Sequence, residues 1–193
     1  MIQGERVNLR AADRPDATLL HRWLNAPEVM AGWGVPDQTI SSTEVQRRLE
    51  GWLAEEAMLG RPVALIVETL TAEPVGLVLL SQVGSDARGA ELSLLIGESS
   101  RWGEGLGTDA LQTVLGACFD AWNLHRVALR CEVSNERARR LYTRCGFVQE
   151  GVLREASFTG GVYEDQILFA MLVSEWRRPD VSTAPSLPPA SPG

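Results

Sequence analysis

With 193 residues the chain is long enough for one domain with a proper core and short for two, and its net charge of −7 argues against the basic stripe of a nucleic-acid surface while admitting a cationic partner. Three cysteines without CxxC spacing and two histidines leave neither a disulfide framework nor a zinc site, so no metal is expected and a reducing, cytoplasmic compartment fits. The opening MIQGERVNLR lacks the apolar stretch of a secretion signal, and no apolar run of about 18 residues marks a membrane span.

Residues 5–11, ERVNLRA, alternate in the manner of a first strand. Asp13 and Pro15 then open a helix with Leu19, Leu20, Trp23 and Leu24 on one face. Residues 26–40 contain Gly and Pro and are expected to form a long loop. Ser41 and Glu44 have the letters of a capping box, and Val45, Leu49, Trp52 and Leu53 behind it keep helical spacing. Strand-like runs at 63–68, 75–83 and 90–97, separated by turn-like 70–74 and 84–89, read as an antiparallel meander. From Leu106 to Trp122 the apolar residues keep a 3.6 period. A strand over 126–133 follows, then a helix over 135–145 stopped by Gly146, and two closing strands, 147–156 and 163–172, joined by 157–162. Residues 177–193, rich in Pro and Ser, read as a disordered tail behind a domain of 1–176. The order predicts a mixed α/β fold: a central, mostly antiparallel, twisted sheet of about seven strands with helices on both faces.

The segment 101-RWGEGLGTDALQ-112 carries three glycines at alternate positions before an apolar helix. A dinucleotide fingerprint would need a third glycine where Thr108 stands, and a Walker A loop would need a lysine. Both nucleotide readings therefore fail on letters. Glycines with positive φ can still turn successive backbone N–H groups toward one anion, and a helix N-terminus adds partial positive charge. A plain strand-to-helix connector explains the same letters.

A second segment, 135-NERARRLYTRCGF-147, reads N-x-x-A-x-x-L-Y-x-x-x-G-F. Together with W-G-E-G-L-G at 102–107 it resembles the GNAT superfamily of N-acetyltransferases over roughly residues 5–175, in particular the branch containing ribosomal-protein alanine N-acetyltransferases. The resemblance implies that the glycine loop holds the pyrophosphate of acetyl-CoA and that the second segment lies beside the pantetheine and thiol. The implied cofactor-binding residues are Leu95, Ile96, Gly97, Trp102, Gly103, Glu104, Gly105, Leu106, Gly107, Thr108, Asn135, Ala138 and Tyr142. The implied reaction moves an acetyl group to a primary amine by direct attack through a tetrahedral intermediate. A protein N-terminal amine is one acceptor; a polyamine, an antibiotic or an amino-acid derivative is another, and a non-catalytic CoA-binding module is a third reading. Trp102 stands where the family often has Gln or Arg, so a side-chain contact to phosphate is lost or supplied by Arg101. Where other members of the branch carry catalytic residues this chain has Ala138 and Ser157, which lack that chemistry.

By the same resemblance Tyr142 is the candidate acid for the departing thiolate, and Glu91 the candidate base on the strand entering the loop. Packing would also explain Tyr142, and an exposed strand face would explain Glu91. Asn135 is both a helix cap and an implied CoA contact. The oxyanion donor is expected to be a backbone N–H near the end of strand 90–97, freed by a bulge or splay. Met30, Trp33, Glu91 and Tyr163 are expected to shape the acceptor pocket, with Glu28, Asp37, Glu155 or Glu164 attracting a cationic amine. His21 and His125 read as packing or surface residues. Dimers are common in the family, which implies a homodimer by analogy.

Overall fold

The computed structural model describes residues 1–33, 39–83 and 88–176. The alternation at the N-terminus gives a two-residue strand, β1 (Ile2–Gln3), and then β2 (Val7–Ala11), whose Val7 and Leu9 are fully buried. Asp13 caps a short 3₁₀ turn, Arg14–Asp16, that feeds α1 (Ala17–Trp23). Pro27 then starts α2 (Pro27–Met30), followed by a 3₁₀ turn over Ala31–Trp33. The segment expected to be a long loop is therefore partly helical, because proline at the first helical position has its φ preset and needs no N–H there. Ser41 Oγ accepts from Glu44 N–H at 3.1 Å and starts α3 (Ser42–Leu59). Glu44 turns to Arg47 and Arg48, so only half of the capping box forms.

The meander follows as β3 (Ala64–Thr69), β4 (Pro74–Ser81) and β5 (Gly89–Ile96). After the glycine loop comes α4 (Leu106–Gly116), which runs on into a π turn over Ala117–Ala121. Then come β6 (Arg126–Glu132), α5 (Glu136–Arg144), β7 (Val148–Thr159) and β8 (Val162–Leu172). The closing hairpin is tighter than expected: only Gly160 and Gly161, both at positive φ, lie between the strands. Two irregularities, at Gln149/Gly151 and Leu153/Ser157, let the longer β7 stay in register with β8.

The strands form one sheet in the order β1-β2-β3-β4-β5-β6-β8-β7, all antiparallel except β5 and β6. Eight strands stand where about seven were expected, the extra one being β1. One face is covered by α4 and α5, with Leu111, Val114, Leu115, Leu129 and Phe169 at the centre of its core. The other is covered by α1, α2 and α3, with Leu20, Trp23, Leu49, Ile66 and Leu77. The predicted turn residues 84–87, Asp37 and the predicted tail 177–193 lie outside the described residues.

One feature of the sheet positions everything else. β5 and β6 pair only through Gly89–Arg126, Ala90–Val127 and Glu91–Ala128. Beyond that point β5 stays with β4 to Ile96, and β6 stays with β8 to Glu132. The sheet therefore parts into a wedge, open toward both helical faces.

Candidate active site

A cavity of about 1050 Å³ occupies the wedge and runs along the N-terminus of α4 and one side of α5. Gly103 and Gly105 hold φ of 91° and 81°, left-handed values that a residue with a Cβ resists. Gly105 is the residue preceding α4, and no side chain caps that helix. Thr108 and Asp109 turn their N–H groups back to the Gly105 carbonyl, so the N–H groups of the earlier residues are left for another acceptor. This arrangement fits a phosphate. Gly97 is constrained differently: a Cβ there would lie 2.3 Å from the Trp23 ring, so it serves packing rather than the cavity wall.

Three guanidinium groups surround the loop, and sequence reasoning singled out none of them. Arg137 lies over the Trp102 ring, 4.4 Å from its centroid, and burial lowers the pKa of that guanidinium. Arg144 donates to Thr108 Oγ1 at 2.9 Å, and the Arg6 side chain passes so close to Gly105 that a Cβ there would lie 3.9 Å from its Cδ and Nε. All three line the cavity, and none forms an ion pair with a described residue. Arg101, the expected substitute for the missing phosphate contact, is instead held by Glu104 and Glu73, at 2.8 and 2.6 Å. Glu104 is thereby turned to Arg101. Trp102 donates its indole N–H to the Ile96 carbonyl at 2.9 Å, so it braces the open edge of β5.

That edge bears on the expected oxyanion donor. The carbonyls of Leu94 and Ile96 accept from Trp33 and Trp102, so both residues turn their backbone groups into the wedge. Their N–H groups share that direction and have no ladder partner on β6. Leu95 points to the core on the other face.

Tyr142 lines the cavity on the α4–α5 side, its ring fixed by Phe169 at 5.7 Å and Phe147 at 6.1 Å. Burial, helped by the nearby Cys131 and Glu132, pushes its phenol up from 10. Ala138 and Leu141 line the same wall. Asn135 caps α5, its Oδ1 accepting from Ala138 N–H at 3.0 Å, while its Nδ2 donates to the Gly32 carbonyl at 3.0 Å. Both ends of that side chain are thus engaged.

The opposite face of the wedge carries Glu91, Arg130, Glu132 and Gln166. Side chains alternate along a strand, and Val127, Leu129 and Cys131 already fill the α4–α5 side. Glu91 receives both arms of the Arg130 guanidinium, at 2.7 and 3.0 Å, and Gln82 at 3.2 Å. Glu132 is 7% exposed and accepts from Gln166 Nε2 at 3.1 Å. Sequence reasoning missed it, because an isolated Glu closing a strand carries no local signal.

The expected acceptor walls divide. Trp33 and Glu91 line the cavity, as does Glu28 at its rim. Met30 does not: it is 2% exposed and packs in the core beneath α2, since the helix formed there turns it inward. Tyr163 is 65% exposed at the hairpin tip against Phe158. Glu164 accepts from Ser134 N–H, and Glu155 sits at positive φ on β7; neither lines the cavity. Among the described residues no group of three or more His, Cys, Asp or Glu is placed to hold a metal, and no helix is long and apolar enough to cross a membrane.

The sequence profile of the acetyltransferase (GNAT) domain family matches residues 6–148. The spermidine N(1)-acetyltransferase of Vibrio cholerae is 29% identical over 173 residues, covering 90% of this chain and 96% of that protein. A crystal structure of the Vibrio cholerae spermidine N-acetyltransferase with CoA and spermine superposes with a TM-score of 0.78 at 28% identity, covering 88% of this chain and 96% of the other. A ribosomal-protein-serine acetyltransferase of Escherichia coli is 28% identical, over 52% of this chain and 56% of its own length. The glycine cradle, the parted strands and these likenesses coincide: the chain belongs to the GNAT acetyltransferase family and is an acetyl-CoA-dependent N-acetyltransferase.

Proposed function

We propose that the acceptor is a small cationic amine of the polyamine class rather than a protein N-terminus. The observation that carries this reading is the acidic face of the wedge. There Arg130 is committed to Glu91, while Glu132 and the rim residue Glu28 leave carboxylate charge facing the cavity. The likeness to a spermidine acetyltransferase, 29% identical over 90% of the chain, supports it.

In this reading the uncapped N-terminus of α4, with Arg6, Arg137 and Arg144, would hold the pyrophosphate and phosphate of acetyl-CoA. The thioester is the activated acyl group that the co-substrate supplies. The Leu94 and Ile96 N–H groups would meet the developing oxyanion, and Tyr142 would give its proton to the departing sulfur. Trp33 would wall the acceptor side.

The test is an acceptor screen with acetyl-CoA over spermidine, spermine, aminoglycosides and N-terminal peptides, read as CoA release. Polyamines are expected to exceed peptides by about tenfold or more in kcat/KM. Peptide preference would reverse the acceptor reading. Binding of acetyl-CoA without transfer to any amine would favour a non-catalytic module.

A homodimer is part of the same proposal. β7 is a sheet edge exposed along nearly its whole length, and Val148, Val152, Phe158, Val162 and Tyr163 are at least 46% exposed on this hairpin. A second copy of the chain would cover that edge. Light scattering giving a monomer at micromolar concentration would remove it.

A further inference from the structure

Of the two glutamates on the acceptor face, only one is neutralised. Arg130 takes both carboxylate oxygens of Glu91. Glu132 ends β6 at the mouth of the wedge and forms no ion pair with any described residue. Its Oε1 accepts one hydrogen bond, from Gln166, its register partner on β8. Among the described residues the only side-chain N or O atom both sealed from solvent and unpartnered is Arg61 Nε. The second oxygen of Glu132, which has no donor, is therefore not sealed, and the residue lines the cavity. A carboxylate nine-tenths buried with one neutral donor is costly unless a cation completes it. Glu132 also contributes to keeping the Tyr142 phenol protonated, so the two groups sense each other across the wedge.

We propose that Glu132, not Glu91, receives the reacting ammonium of the acceptor and accepts its proton, opposite Tyr142. This rests on the acetyl-transfer reading above. Glu132 takes one proton from R–NH₃⁺ and later releases it to solvent. The freed nitrogen lone pair forms the C–N bond at the thioester carbonyl. The C–S bond then breaks, its electron pair stays on sulfur, and sulfur takes the Tyr142 proton. The nitrogen gives up its second proton, which restores the Tyr142 phenol. One ammonium and one thioester enter; one amide, one thiol and one proton leave. Gln166 is a positioning residue that orients the Glu132 carboxylate, and the Arg130–Glu91 pair forms a wall beside it.

The test is Glu132→Gln, which keeps the shape and removes a buried uncompensated charge. For an alkylamine acceptor kcat/KM should fall about a hundredfold, while the acetyl-CoA Kd stays within about twofold. With an acceptor whose amine is already neutral at the assay pH, the loss should shrink to under about tenfold, because no proton needs removing first. Glu132→Ala should recover activity several-fold when formate is added, a rescue that a purely structural role would not show. Retention of alkylamine turnover within about threefold, or equal losses with both acceptor types and no formate rescue, would overturn the proposal. If the unaltered protein binds acetyl-CoA but acetylates no amine, the acetyl-transfer reading itself fails, which is a separate outcome.

Discussion

Tyr142 combines two properties that rarely coincide: a ring locked in the core by Phe147 and Phe169, and a place on the wall of an open cavity. Packing and chemistry, which the sequence left as alternatives for this residue, are compatible here. The locked ring holds the hydroxyl in one direction, as an acid must be held. Tyr142→Phe is expected to lower kcat about a hundredfold or more while leaving acetyl-CoA affinity within about twofold. Steady-state kinetics with a binding titration checks both. Burial raises the folded-state pKa of this phenol above 10, so its acidic, protonated form persists beyond the pH at which a free phenol is half ionised. The kcat of the unaltered enzyme should therefore show no loss assignable to Tyr142 up to pH 10, and a falling limb at 10 that Tyr142→Phe abolishes would contradict the burial argument.

At the scale of elements, the N-terminus of α4 must be both open to phosphate and fixed in place. Gly103 and Gly105 give the openness. Asp109 gives the fixing: it is 8% exposed and accepts from the N–H groups of Glu5, Arg6 and Val7 at 3.2, 2.8 and 2.9 Å. It thereby ties the start of β2, and with it Arg6, to the first turn of α4. Asp109→Ala would leave those donors short of partners, at a cost of about 3 kcal/mol. For a chain of this size that is a fall of about 6–12 °C in Tm. Thermal unfolding measures it, and acetyl-CoA should also bind more weakly because Arg6 loses its anchor. An unchanged Tm would show that the three hydrogen bonds do not hold this junction.

For the whole molecule, the layout of strands and helices was readable because apolar period, caps and glycines are local signals. The Gly103–Gly105 loop and Tyr142 were readable by resemblance of two short segments. Glu132, the Arg130–Glu91 pair and Arg137 over Trp102 were not, because each depends on which elements come to lie side by side in the fold. Residues 39 positions apart meet at Glu91 and Arg130 only once the sheet has formed. Another property belongs to the chain as a whole: its sequence contains no lysine. Between pH 9 and 12, side-chain titration is therefore left to thiols and phenols. Burial raises Cys118 from 9.0 to about 12 and Cys131 to about 11. In that window the unfolded chain releases protons that the folded chain keeps, so stability falls as pH rises. The contribution is fully present below pH 9 and is lost as pH passes through the folded values. Each thiol adds a slope of up to about 1.4 kcal/mol per pH unit, and Tyr142 adds to the fall above pH 10. Tm should be level from pH 7 to about 8.5 and then drop by about 5–10 °C per unit. Cys118→Ala will lower Tm throughout by leaving a small void, but it should reduce the alkaline slope by about half. The slope, rather than the offset, is the measurement that decides: an unchanged slope in the variant would mean that Cys118 ionises without unfolding.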